Sequence, residues 1–475
     1  MNREESLPLA RPVALADPLD ALRALADLPG AFLLHSGLRS AGPRARWSLF
    51  GAEPFALFRG GDAAASAAWR RLAAAGAPRA FDDHGAPFRG GAVGYWAYDF
   101  GRRLERLPAL AADDLGLPDF VLGLYDVVGA FDHADGSAWL FSSGLPLEGS
   151  ARVARARRRL DQMTRRLEGR ATESGAVPRL AHARARSTFD RAGYLAAVER
   201  VREHIRRGDI FQANLSQRWT VPVETTAAPP TALPLALFES LARRSPAPFA
   251  GFIGAGDHAV VSASPERFLE LRGRRIETRP IKGTRPRGSS PAEDARLARE
   301  LETSEKDRAE NVMIVDVLRN DLGRVCETGS VATRGLCELE AFPQVFHLTS
   351  TVTGVLRPGL DGFDLLRACF PGGSITGAPK IRAMEIIESL EPVRRHLYTG
   401  AIGYLDWSGD ADWSIAIRTA LVTPRAIHFA AGGGITADSD PAAEYQETLH
   451  KAAGLEAAIA DLARAPAAAR GVAVP

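Results

Sequence analysis

The chain has 475 residues, 46% of them apolar and 24% charged, with a formal net charge of +2. This is the make-up of a soluble globular protein with one large or two ordinary domains. It excludes a dense basic footprint for nucleic acid, and no apolar run reaches the roughly 20 residues of a membrane span. The first six residues lack the charged-then-apolar pattern of a secretory signal. The three cysteines, Cys326, Cys337 and Cys369, show neither metal spacing nor an even-numbered disulfide framework, so a cytoplasmic setting is expected.

Residues 1–147 alternate short strand-like runs with Gly/Pro turns, at 31–37, 46–51 and 90–99, the last a strand entering a tight bend. An arginine-rich helix is predicted over 150–169, followed by a polar Ala/Gly/Ser/Pro stretch, so that 148–186 reads as helix and spacer. A second region, 187–464, opens on Ser187-Thr-Phe-Asp190, a helix-start signature for a helix reaching about Gly208. Strands are predicted over 212–221, 258–262, 268–271 and 275–279, and long helices over 304–322, 379–390 and 441–460. Hairpin-like runs in place of strict β-α-β alternation predict an α+β fold. The low-complexity stretch 465–475 reads as a mobile tail, and there is no internal repeat.

Of the 59 basic residues only four are lysine: Lys282, Lys306, Lys380 and Lys451. Codon bias accounts for the ratio but not for the exceptions. Arginine keeps its proton, whereas lysine can serve as a nucleophile or a compact point charge. Lys282 is the first candidate. It lies in Arg279-Pro-Ile-Lys-Gly-Thr-Arg-Pro-Arg287, read as a rigid Gly/Pro-punctuated segment whose guanidinium groups would favour the neutral amine.

Two helices carry acids at i, i+3 spacing: Asp307 with Glu310, and Glu444 with Glu447. Facing each other they would make an oxygen-rich site suited to magnesium. A capping box closed by Asp307 on Ser304, and an i, i+4 pair of Glu447 with Lys451, account for the same pattern. Phe370-Pro-Gly-Gly-Ser-Ile-Thr-Gly-Ala-Pro-Lys380 lacks the ending of a phosphate loop, which disfavours nucleotide binding, but a glycine turn leading into a helix offers N–H groups to an anion. Ala430-Ala-Gly-Gly-Gly-Ile435 is a second place for close backbone approach, and a tight turn is the plain alternative for each. With Arg418 and Lys380, these segments suggest a ligand bearing more than one carboxylate.

Taken in order, Ser264-Pro-Glu-Arg-Phe268, Pro280-Ile-Lys-Gly-Thr284, Arg308-Ala-Glu-Asn311 through Asp321, the 370–380 loop, and Ala431–Ile435 through Glu447-Thr resemble the chorismate-utilising enzymes. The resemblance is strong over 187–460 and weak in the N-terminal half. It implies a sandwich of two large antiparallel sheets with helices outside, chorismate bound between them, and magnesium. By position Glu310 and Glu447 match direct metal ligands, and Glu444 and Asp307 match acids that act mainly through water. Arg418, Tyr398, Lys451 and the Gly432 and Gly434 backbone match the enolpyruvyl-binding side. Thr284, Thr376, Gly377 and Ala378 match the other wall, with His347 near the ring.

Two positions select a branch. Gln212 stands where hydrating members resemble one another in placing a lysine that activates water, and glutamine cannot act as that base. Lys282 stands where anthranilate synthases typically have alanine, and it resembles the aminodeoxychorismate type, as does Asn214. That resemblance implies a Lys282 amine attacking the ring, with Glu266 as general acid for the departing hydroxyl. It implies ammonia from a separate glutaminase subunit, since no cysteine elbow is present, and a product that keeps its enolpyruvyl group, since the chain looks too short for a fused lyase. Anthranilate synthase component I is the near alternative, and a catalytically silent ligand-binding homologue the remote one. Leu33-Leu-His-Ser36 falls where many relatives bind tryptophan, with His35 in place of an acid.

Overall fold

The computed structural model describes residues 7–38, 45–169, 180, 183–223, 229–342 and 345–464, except 77–84. Two antiparallel sheets carry it. The first runs Leu9–Pro12, Ala138–Ser142, Val127–Asp132, Trp47–Gly51, Phe32–His35, Phe249–Gly254, Ala259–Ser264, Thr419–Val422, Ala426–Ile435, Gln212–Pro222 and Gly377–Ala378. The second runs Ile281–Pro286, Val345–Val355, Arg275–Thr278, Arg267–Arg272, Ala411–Ile415, Ala401–Asp406, Gly91–Trp96, Phe120–Tyr125 and Ala56–Arg59. Phe32–His35 pairs with Phe249–Gly254, and Gly91–Trp96 with Ala401–Asp406. Both sheets therefore draw strands from 1–147 and from 187–464. Most of the expected spacer after Gly169, and the tail 465–475, lie outside the described residues.

Period-two alternation decides which side chains meet. In Gly91–Trp96, Val93 and Tyr95 enter the layer between the sheets with Phe32, Val260 and Ile402. Ala92 and Trp96 enter the outer layer, where Trp96 meets Trp413 edge-on at 6.2 Å. Truncating an aromatic in such a layer costs about 3–5 kcal/mol, so packing on both faces holds the sheets in place. Pro18–Leu25, Gly149–Glu168, Ala232–Arg244 and Pro441–Arg464 cover the first sheet, and Ala63–Gly76, Glu305–Gly323 and Gly362–Cys369 cover the second. This is the expected α+β sandwich with helices outside.

The predicted helices over 150–169, 304–322 and 379–390 are found as Gly149–Glu168, Glu305–Gly323 and Lys380–Leu390. Pro18–Leu25, Ala63–Gly76, Gly101–Leu104, Ala232–Arg244, Pro291–Thr303 and Gly362–Cys369 were not expected. Ala232–Arg244 carries Pro234 in its first turn, where no N–H bond is lost. Pro291–Thr303 is a surface helix capped by Ser290, with Leu301 as its buried residue. The Gly/Pro-punctuated segment 279–287 is largely the edge strand Ile281–Pro286.

Candidate active site

Lys282 is aimed by a fault in that edge strand. Ile281 sits opposite Thr349 and Thr284 opposite His347, so one extra residue is accommodated between them as a bulge. Gly283 takes φ +81° there, and a Cβ would stand 2.8 Å from Leu301 Cδ1 and 3.0 Å from Asp307, so the bulge needs glycine. Lys282 Nζ donates to Glu310 Oε1 at 2.6 Å and to the Ser374 carbonyl at 3.2 Å. Its charged neighbour is thus a carboxylate, which corrects the expectation of guanidinium surroundings. Ser374 Oγ donates to Glu266 Oε1 at 2.9 Å. Ser374 therefore joins the two predicted catalytic groups.

Gln212 Nε2 donates to the same Glu310 oxygen at 2.6 Å. The Gln212 strand lies between Ala426–Ile435 and the two-residue strand Gly377–Ala378, with Gly434 opposite Asn214. A Cβ at Gly434 would fall 1.9 Å from Gln212 Nε2, and one at Gly377 would fall 2.1 Å from the Gln212 carbonyl. Glycine is what lets three backbones converge here. The Thr376 carbonyl accepts from Asn214 N–H at 2.8 Å, while the Thr376 hydroxyl is turned into its own loop, onto the Gly372 carbonyl. Gln212 Oε1 and Asn214 Oδ1 are buried without a partner among the described residues, and such acceptors suit ligand donors.

The acids come from two helices. Ser304 caps Glu305–Gly323 by accepting from Asp307 N–H, and the Asp307 carboxylate faces Arg285 at 3.3 Å. On Pro441–Arg464, Glu444 accepts from Ser439 Oγ at 2.6 Å. Lys451 Nζ meets Glu447 at 2.6 Å and the Gly432 carbonyl at 2.9 Å. The donor set is entirely carboxylate oxygen, the chemistry magnesium takes. A Cβ at Gly433 would lie 2.9 Å from Glu444 Oε2 and 3.6 Å from Glu447 Oε1, and one at Gly434 2.7 Å from Glu310 Oε1. The missing side chains let all three glutamates close in on this strand, and a cluster of carboxylates is the chemistry that fits the ion. As they stand, no three such ligands converge tightly enough to hold a metal among the described residues.

A second wall is built differently. Thr284 Oγ1 lies 2.9 Å from His347 Nδ1. His347 and Arg418 line a cavity of about 140 Å³ with Ile281, Thr349 and Phe249. Arg418 takes φ +49°, and its guanidinium makes no ion pair or hydrogen bond among the described residues. Its side chain is exposed at this wall, and crowding by surrounding protein lowers its pKa. Tyr398 is buried nearby in sequence, with the Arg395 guanidinium 5.8 Å from its ring. A larger cavity of about 460 Å³ lies elsewhere, lined by His35, Ser36, Arg46, Trp47, Glu270 and Tyr404. Neither cavity is lined by Lys282, Glu266 or the glutamates.

Burial pushes Glu266 up to about 7, against the Lys282 charge and the Ser374 hydrogen bond. Burial would raise Glu310 too, but the Lys282 charge and the bonds from Lys282 and Gln212 hold it below the ordinary carboxylate range. Burial raises Glu444 despite the Ser439 bond, and Glu447 adds to the rise. Burial, with the Arg418 charge beside it, pushes His347 down to about 4, leaving a neutral imidazole. At neutral pH the site thus offers a protonatable acid and an ionised acid joined through Lys282 and Ser374, and a neutral ring on the second wall.

Lys380 is a correction. It does not face a ligand, because its Nζ is buried against Asp321 at 2.6 Å and the Cys369 carbonyl at 2.9 Å, fastening the two ends of the 370–380 loop. Sequence reasoning passed over Ser374 as an individual residue, although it sits inside the quoted glycine loop. It also missed the buried Glu391–Arg395 pair, whose Arg395 donates to the Asn214 and Ile375 carbonyls. The i, i+4 spacing of that pair was its one visible signal.

A two-sheet sandwich that gathers carboxylates around a lysine, with an arginine unpaired among the described residues on a second wall, fits an enzyme for small acidic substrates. The chorismate binding enzyme family matches residues 34–457, and the chain belongs to that family. It is 46% identical over 365 residues to aminodeoxychorismate synthase component 1 of Klebsiella aerogenes, covering 77% of this chain and 76% of that one. It is 45% identical over 374 residues to anthranilate synthase component 1 of Thermus thermophilus, covering 78% of each. The crystal structure of anthranilate synthase component I from Streptococcus pneumoniae superposes with a TM-score of 0.75 at 32% identity, covering 86% of this chain and 92% of that one. No helix among the described residues is long and apolar enough to cross a membrane.

Proposed function

We propose that this chain is an aminodeoxychorismate synthase component I, converting chorismate and ammonia to 4-amino-4-deoxychorismate in the cytoplasm, for p-aminobenzoate and folate synthesis. A separate glutaminase subunit would supply the ammonia. The supporting observation is the bulge that turns Lys282 onto Glu310 and Ser374, with Ser374 holding Glu266.

Once it leaves Glu310 and has given one ammonium proton to solvent, Lys282 adds the Nζ lone pair to ring carbon 2 as the ring double bonds shift. The carbon 4 hydroxyl departs as water on taking the Glu266 proton, because hydroxide itself leaves poorly. Ammonia then bonds to carbon 4, the double bonds shift back, and the carbon 2–nitrogen bond breaks to return the lysine. The balance is chorismate plus ammonia giving product plus one water. Arg418, Tyr398, Lys451 and the Gly432 and Gly434 backbone would hold the enolpyruvyl carboxylate, and Asn214, Thr284, His347 and the Thr376–Ala378 turn would seat the ring. Magnesium, bound by Glu310 and Glu447 and through water by Glu444 and Asp307, would neutralise and fix the ring carboxylate.

Anthranilate synthase component I is the second reading, favoured by the near-equal identity to the Thermus thermophilus relative. Purified chain with chorismate, magnesium and ammonium salt separates the two. The proposal expects an aminated product without pyruvate, and a loss of at least about 10³-fold in Lys282→Ala, as for removal of a covalent nucleophile. Anthranilate with pyruvate would establish the second reading.

A further inference from the structure

The four lysines of this arginine-rich chain do not pair at random. Lys282 meets Glu310 at 2.6 Å, Lys451 meets Glu447 at 2.6 Å, and Lys306 approaches Glu444 at 3.9 Å. The fourth, Lys380, pairs with Asp321 away from these glutamates. Each glutamate packed against Gly433–Gly434 is therefore met by a lysine, in a protein whose default cation is arginine. Asp307, by contrast, is met by Arg285.

Lysine suits a counter-ion that must later let go. Its ammonium is a compact point charge on a flexible stem, whereas a guanidinium fork grips both oxygens of a carboxylate in fixed geometry. Three carboxylates gathered in a partly buried site repel one another and need positive charge to stay ionised. Gln212 shares the Glu310 oxygen with Lys282, so that oxygen already has two donors and cannot take a cation without releasing one.

We propose that Lys282, Lys306 and Lys451 are stand-in cations, which pair with the three glutamates of the metal-free protein and are displaced when a divalent ion binds among those glutamates. This inference rests on the magnesium reading above. It adds that the lysines compete with the ion, and that Lys282 is released from Glu310 by the same event that loads the site.

The test is Mn2+ binding to the whole chain, read by electron paramagnetic resonance without chorismate or turnover. Lys306 is half-exposed and lies outside the proposed catalytic and substrate-binding groups, so Lys306→Met is the first variant. It should bind Mn2+ about two- to five-fold more tightly, the range expected for an exposed pair. Lys282→Met should tighten binding by about tenfold or more, because its pair is buried. Lys306→Arg keeps the charge and should bind no more tightly than the parent. Unchanged or weaker binding in folded Lys306→Met and Lys282→Met overturns the competition while leaving the metal reading in place. Tightening in Lys306→Arg overturns it too, by showing that charge is not what matters. A parent chain that binds no Mn2+ overturns the metal reading and this inference together.

Discussion

The two halves of the site are finished to different degrees. Around Thr284, His347 and Arg418 there is open volume, a neutral imidazole and a guanidinium with no partner. Around Glu310, Glu444 and Glu447 the charges are already paired, and the space between the helices is closed by the protein's own side chains. One half is pre-organised for an anion, and ligand binding there displaces nothing charged. The other half is complementary to itself, and must exchange protein contacts for ligand contacts before it can work.

Three experiments would break or sharpen that contrast. The largest effect belongs to Glu266, held by Ser374 beside Lys282. Burial pushes it up to about 7, so as a proton donor it is competent below that value and lost as pH rises through it. kcat/KM should fall with rising pH through about 7, and Glu266→Gln should abolish that limb and lower the rate by about 10²–10⁴-fold. A descending limb unchanged in Glu266→Gln would remove Glu266 from this role. Next, Arg418→Met should raise KM for chorismate by about 10–100-fold, the worth of a charge-assisted bond, with a smaller change in kcat. A KM equal to the parent's would mean that the open half does not take a carboxylate. The smallest effect is Ser374→Ala. Its hydroxyl holds Glu266 lower than burial alone would, so its loss should move the limb to higher pH while turnover persists. A shift to lower pH would contradict the hydrogen bond as drawn.

Much of this was legible in the sequence for local reasons. Long helices announce themselves, and the i, i+3 acids and the glycine runs mark one face and one close approach each. What was not legible depended on partners distant in the chain. The strand nature of Ile281–Pro286 comes from Val345–Val355 beside it, and its bulge is visible only as a slip in register. Lys380 read as a charge facing a ligand, because only the fold places Asp321 beside it and Glu310 beside Lys282. Ser374 was hidden for the same reason, since a serine in a glycine turn gives no hint that it will touch a glutamate more than a hundred residues away.

The interleaving of the sheets has a consequence for how the molecule is made. Gly91–Trp96 is synthesised early, yet its partner Ala401–Asp406 leaves the ribosome some three hundred residues later, about 15–60 s at ~5–20 residues per second. Throughout that interval the N-terminal strands have unpaired edges and uncovered apolar faces, the condition under which strands pair with the wrong chain. Such topology also makes folding slow, because distant contacts must close before packing rewards them. Expression should therefore respond strongly to chaperone supply and growth temperature. Nascent chains arrested before residue 401 should be captured by chaperones, whereas the released full-length chain is not.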